Sequence, residues 1–322
     1  MAAPGGSRIS RRPVPGTVQS ASSIGFRIDV PFTAPPSADQ RAIALLAQAR
    51  SFGVTTFDVA PGTGSGRAER LIAAAFPTAD PDLLVLVGRS LASLASDGTS
   101  DHPPSDGAFV ERLRSSILDS TNRLHPQGVG LLEWRQDPDS SVRLREVIDA
   151  LDRLRSEGAV GGWVLHVPPN GSLTGAAPDE IGKRVTLLSG AFSPLDRRLL
   201  FPISERASEG PTGFLARDPF GSGRLDGTRF AGSATHRRPD VRPDSVRELQ
   251  REFDPVLRLG FLTEGRRRTL AQAALRFVLH WPWVCSCIVP IPSPERMDEL
   301  TLTESTPPLS EGEVDRILAL AS

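Results

Sequence analysis

The chain is expected to fold as a single (β/α)8 barrel. Two observations predict it: eight short apolar runs that do not alternate with polar residues, and segments of helical period between them. Strands buried on both faces read as continuous apolar runs, as parallel strands covered by helices do. Eight such units argue for a closed barrel, and 322 residues suit one as a single domain. A doubly wound open sheet is the alternative, but no G-x-G-x-x-G opens the first helix.

The runs are SSIGFRIDV, VTTFDVA, LLVLVGR, VGLLEWRQ, VGGWVLHV, RVTLLSGAF, TGFLARDPF and CSCIVPIP. Helix-like segments cover residues 39–52, 67–76, 109–122, 142–157 and 270–280, with Ser37 as N-cap of the first and Gly158 ending the fourth. Ser310 and Glu311 begin a final helix running to about Leu320. Residues 1–20 hold arginines but no apolar core, so they read as a disordered tail rather than a signal peptide, leaving the barrel to residues 21–322. Residues 90–107 and 231–244 are polar and rich in Pro, Gly and Asp. They read as long loops after strands, on the C-terminal face where lids and substrate loops belong.

With 39% hydrophobic and 23% charged residues the composition is that of an ordinary globular protein. A net charge of -1 gives no argument for nucleic acid or a membrane surface. No apolar run approaches the roughly 18 residues of a membrane span. A cytoplasmic protein acting on a small molecule is the expectation. Cys285 and Cys287 lie two apart on one predicted strand, sharing a face but too distant for an easy disulfide. With no further Cys or His pair at ligand spacing, they are expected in the core and no metal site is expected. The chain has no tyrosine, and its one lysine is Lys183. That arginine bias fits a GC-rich bacterial genome, where tailoring of a secondary metabolite is a natural setting.

In a barrel, function is read at the C-terminal strand ends. These are Arg27, Asp58, Arg89, Arg135, His166, Phe192, and Arg217 with Asp218. One such residue alone reads as a solvated loop edge, but a barrel mouth makes a ring of them converge. Arginines around Asp58 predict an electropositive pocket with the carboxylate held ionised, and its expected partner is Arg89 or, failing that, another basic residue at the mouth. His166, the only histidine at a strand end, is the expected acid–base group. After Asp58 the stretch FDVAPGTGSGRAE passes through three glycines. Its turn offers only Thr63 and Ser65 as polar side chains, neither a good acid near neutral pH.

Four segments carry a resemblance to the aldo-keto reductase superfamily, which extends along nearly the whole chain. GVTTFDVAPGTGSGRAERLI is similar to the family's G-V-x-x-F-D-T-A-x-x-Y-G-x-G-x-S-E. ALDRLRSEGAVGGWVLH resembles A-L-x-x-L-x-x-x-G-K-V-R-x-I-G-V-S-N, and DPFGSGRLDG resembles the P-L-x-x-G-x-L-T-G loop. TLAQAALRFVLHWPWVCSCIVPIPSPERMDEL resembles the segment that binds the adenosine 2′-phosphate of NADPH. The resemblance implies a reductase in which Tyr donates a proton, Lys paired to Asp tunes it, and His orients the carbonyl. By position the Asp is Asp58. The Tyr falls on Thr63, the Lys on Arg89, and the His on Arg135, or on Trp134 if the strand shifts by one. A tyrosine near pKa 10 can be tuned by a neighbour; an aliphatic hydroxyl lies several units higher.

The implied NADP(H) site is mixed. The family's Ser-Asn pair for the carboxamide falls on His166 and Val167, and its nicotinamide-stacking Tyr on Phe192, which could still stack. Gly223, Leu225 and Gly227 match the pyrophosphate loop. Ser293 and Arg296 match the 2′-phosphate and adenosine contacts, while Pro290, Pro292 and Leu300 depart from the pattern. Three functions follow. The first is non-redox chemistry (lyase, dehydratase, isomerase or cyclase) on an anionic or carbonyl-bearing small molecule, using Asp58, Arg89, Arg135 and His166. The second is an NADPH-dependent reductase with a substitute proton donor. The third is a non-catalytic nucleotide-binding or regulatory protein.

Overall fold

The computed structural model describes residues 9–28, 35–59, 66–95, 106–136, 143–168, 184–227, 254–290 and 293–320. The chain opens with an antiparallel hairpin, β1 (Arg11–Pro13) and β2 (Ser20–Ser22). All eight apolar runs then form strands: β3 (Ile24–Ile28), β4 (Thr56–Val59), β5 (Leu84–Ser90), β6 (Leu131–Arg135), β7 (Gly162–His166), β8 (Leu187–Ala191), β9 (Gly213–Arg217) and β10 (Val284–Pro290). They pair in parallel in chain order, and β10 returns to β3, closing the (β/α)8 barrel. The helices are α1 (Pro36–Ser51), α2 (Arg67–Ala75), α3 (Leu91–Ala95), α4 (Asp106–Leu124), α5 (Leu144–Ser156), α6 (Leu200–Glu209), α7 (Leu270–Leu279), α8 (Pro294–Thr301) and α9 (Glu311–Ala319).

Side chains alternate across each strand, and this divides the core in two. Val85, Val87, Leu132, Trp134, Leu165 and Phe214 pack outward in the large cluster shared with the helices. Leu84, Leu86, Leu131, Val164, Leu187 and Leu215 fill the lower barrel axis, joined by Val14 and Ala21 of the hairpin. Each such buried Leu or Val contributes about 1.5–3 kcal/mol. The apolar plug ends at Leu86, Leu131, Val164, Leu187 and Leu215, and the next inward positions on β6 to β9 belong to a different, polar layer.

Three expectations are corrected here. The tail is ordered from Ile9 onward: Val14 is buried under the barrel, and Arg12 donates to the carbonyls of Leu279, Trp281 and Val284. The hairpin fits because Gly162 and Gly213 start their strands; an added Cβ would stand 2.6 Å from Thr17 and 2.7 Å from Pro15. Helix α1 is not capped by Ser37. Its N-cap is Pro35, with a further proline in the first turn, where a missing N–H costs nothing. Cys285 and Cys287 do not share a face. A register shift between Val284 and Ser286 puts Cys285 in the axial cluster and Cys287 in the outer one. Both are buried thiols, and burial pushes Cys285 up to about 11.

Ser310 caps α9 in a capping box with Glu313, where the final helix was expected to start. The expected loop over residues 90–107 holds α3 and the start of α4; its residues 96–105, and the whole of 231–244, lie outside the described residues. Among the described residues no helix is long and apolar enough to cross a membrane, and no group of three His, Cys, Asp or Glu could hold a metal ion.

Candidate active site

The polar layer above the plug is built by strand parity. Two residues beyond Leu131 comes Glu133, and then Arg135. Two beyond Val164 comes His166, two beyond Leu187 comes Ser189, and two beyond Leu215 comes Arg217. Asp58 of β4 and Arg27 of β3, which are register partners, complete it.

Arg217 lies at the centre and is buried. Its Nη1 and Nη2 donate to Asp58 at 2.7 and 3.0 Å, and its Nε donates to Glu133 Oε1 at 2.7 Å. Arg27 Nε adds a bond to Asp58 Oδ2 at 2.8 Å, and Arg135 Nε one to Glu133 Oε2 at 2.8 Å. Burial alone would raise both carboxyls, but Arg217 above all, with Arg27 for Asp58 and Arg135 for Glu133, holds them below the usual carboxylate range. Burial would lower Arg217, and the two carboxylates outweigh it. Three guanidinia against two carboxylates leave the layer one positive charge in excess.

Arg89 takes no part. Leu84 and Leu86 point to the axis, so Arg89 points to the helices. There it donates to Ser116 Oγ at 2.6 Å, to the Gly88 carbonyl at 2.8 Å and to Ser120 Oγ, with Glu69 at 3.6 Å. The Asp58–Arg89 pair is therefore not formed, and the expected alternative, another basic residue at the mouth, holds: Asp58 is paired with Arg217 and Arg27. The same parity decides between Trp134 and Arg135. Trp134 is buried in the outer core, edge-on to Phe109 at 5.5 Å, and Arg135 faces inward. Arg135 Nη2 is buried with no hydrogen-bond partner among the described residues.

His166 sits beside Arg135 in the register, its side chain 20% exposed. Its Nδ1 is 3.1 Å from Ser189 Oγ and 4.0 Å from Glu133 Oε1, and Ser189 Oγ donates to Glu133 Oε1 at 2.5 Å. Burial first, then Arg135, Arg217 and Arg27, push its pKa down to about 4 against the opposing pull of Glu133. The imidazole is neutral at neutral pH. Glu133 and Ser189 were missed in the sequence. An acid inside the apolar run LLEWRQ was the available signal for Glu133; Ser189 had none.

The expected nicotinamide contacts do not fit. Phe192 is fully buried in the outer core, with ring neighbours Phe277 at 5.6 Å, Trp283 at 5.5 Å and Phe214 at 6.2 Å, so it has no face to offer a cofactor. Val167 is buried in the same cluster. In the glycine-rich turn, Gly221, Ser222 and Gly223 have φ of 55°, 59° and 78°. Such a run can turn amides toward an anion. Here the Ser222 amide already donates to both carboxylate oxygens of Asp218, at 2.7 and 2.9 Å. Gly227 also has positive φ, while Leu225 is core. The adenosine end fits better. Ser293 is the N-cap of α8, and Arg296, paired to Glu299 at 3.1 Å, leaves a buried Nη2 without a partner among the described residues. Thr63 lies outside the described residues.

The sequence pattern of the aldo/keto reductase family matches residues 31–322. A D-threo-aldose 1-dehydrogenase of a Pseudomonas species is 26% identical over 270 residues, covering 78% of this chain and 79% of the relative. Among solved structures, an aldo-keto reductase of Bacillus halodurans in its holo form is similar with a TM-score of 0.70 at 17% identity, covering 98% of this chain and 97% of that one. An aldo-keto reductase of Klebsiella pneumoniae in complex with NADPH is similar with a TM-score of 0.66 at 16% identity, covering 92% and 90%.

Proposed function

We propose that this chain, which belongs to the aldo/keto reductase family, performs proton-transfer chemistry at its barrel mouth on a small oxygenated molecule bearing a carbonyl or carboxylate. The observation that carries the reading is His166, an imidazole kept neutral among three arginines in the polar layer, with its side chain 20% exposed. A neutral imidazole has a lone pair that can accept a proton, and an anion held by the arginines would offset the positive charge that weakens it as a base. Arg135 and Arg27 are each anchored through Nε, which leaves their Nη groups to hold a carboxylate or polarise a carbonyl. Removal of a proton next to a carbonyl, with the resulting negative charge held by an arginine, serves an isomerase, dehydratase, lyase or cyclase equally. Tailoring of a bacterial secondary metabolite is the setting that the composition suggests.

The absence of tyrosine from the chain weakens a reductase reading, because no side chain of that type can donate the proton. Carbonyl reduction remains the second reading, in which His166 or an arginine-bound water supplies it. The unpartnered Arg296 Nη2 and the names of the similar proteins favour it. Titration with NADPH, followed by its fluorescence and by turnover of generic aldehydes, separates the two. The proposal expects turnover near background, since a lost general acid costs about 10²–10⁴-fold. Steady turnover at rates ordinary for a reductase would overturn it.

A further inference from the structure

We infer that Glu133 and Ser189 fix the tautomer of His166, placing its proton on Nδ1 and leaving Nε2 as the nitrogen that is bare at rest and accepts the proton. This rests on the reading of His166 as the base and adds two positioning residues to it.

The inference follows from counting protons. Glu133 is ionised, clamped by Arg217 on Oε1 and Arg135 on Oε2, so it only accepts. Ser189 has one hydroxyl proton, and the 2.5 Å contact with Glu133 Oε1 uses it. What Ser189 Oγ presents to His166 Nδ1, 3.1 Å away, is therefore a lone pair. Nδ1 must carry a hydrogen to meet it, and a neutral imidazole has only one. Glu133 cannot do this directly, because Oε1 is 4.0 Å from Nδ1, beyond hydrogen-bond reach. The hydroxyl is the necessary link.

When Nε2 takes a proton, one C–H or O–H bond of the substrate breaks and one N–H bond forms. The electron pair stays on the substrate. The imidazolium keeps its Nδ1–H on Ser189, and its charge is met by Glu133 through that hydroxyl, so no proton travels along the row. The charged groups around the ring are Glu133 and Arg135 on β6, Arg217 on β9 and Arg27 on β3.

Full-length protein with 15N-labelled histidine tests this by long-range proton–nitrogen correlation at neutral pH. The chain has five histidines, and the signal of His166 is the one lost in His166→Gln. The wild-type protein should show the Nδ1–H tautomer. Ser189→Ala should move the signal toward the Nε2–H form that predominates in water, and Ser189→Thr, which keeps the hydroxyl, should retain Nδ1–H. An Nε2–H tautomer in the wild type, or no change in a folded Ser189→Ala, would overturn the inference. If Ser189→Ala does not fold, the wild-type tautomer decides alone. The measurement needs no turnover, so a failure of the base reading, seen as activity surviving His166→Gln, is read separately.

Discussion

Arg217 spans the barrel between Asp58 and Glu133, giving Asp58 both of its Nη groups and Glu133 its Nε. One residue from β9 thus ties β4 to β6 across the axis and fixes the frame that every other polar side chain leans on.

Removing it should be severe. Arg217→Met leaves two buried carboxylates sharing less cation, and losing one partner of a buried pair costs about 3–5 kcal/mol. Urea unfolding should show a loss of that order. A loss below about 1 kcal/mol, the range of a surface pair, would contradict the geometry.

Additivity checks which arginine belongs to Asp58. In a double-mutant cycle, Asp58→Asn and Arg217→Met should couple strongly. Asp58→Asn and Arg89→Met should add within about 0.5 kcal/mol, because Arg89 is tied to Ser116, Ser120 and Glu69 on the helix layer. Coupling of Asp58 to Arg89 would reinstate the pairing that the sequence suggested.

The pH dependence of stability has two windows. The folded pKa of His166 is depressed from 6.5 to about 4, so its contribution is complete above 6.5 and lost as pH falls toward 4, a change of about 3 kcal/mol. Asp58 and Glu133 are also depressed, so their contribution is present above the ordinary carboxylate range and is lost only at lower pH. Unfolding curves should fall between pH 6.5 and 4 in the wild type. His166→Gln should flatten that window and leave the acid limb; an unchanged curve would place the titration elsewhere.

Asp218 bears on whether the turn at residues 221–223 can take a phosphate. Its carboxylate holds the Ser222 amide that a phosphate would use. Asp218→Ser should tighten NADPH binding by about tenfold, roughly 1.4 kcal/mol, by removing an anion from the turn. Equal binding by both proteins, read by fluorescence titration, would show that the turn is not the obstacle.

The barrel was legible because continuous apolar runs such as LLVLVGR have one reading when helical segments separate them. Site membership was less so. The list of strand ends named Arg27, Asp58, Arg135, His166 and Arg217 but could not weigh them, since a shift of one residue turns a side chain from the axis to the helices. That shift sends Arg89 and Trp134 outward. Phe192, just beyond β8, belongs to an aromatic cluster with Phe277 and Trp283, residues about ninety positions away that no local pattern could connect to it. Ser189 gained its place from Glu133, two strands away.

The central claim is that His166 moves protons without a nicotinamide. Incubation of the protein in deuterated water with a panel of small hydroxy-ketones, aldoses and oxo acids, no nucleotide added, tests it by proton NMR. The account predicts deuterium entering the carbon next to the carbonyl of at least one compound, with the wild-type protein and not with His166→Gln. Exchange that persists in His166→Gln, or oxidation and reduction of the panel only when NADP(H) is supplied and with no exchange in its absence, would contradict it.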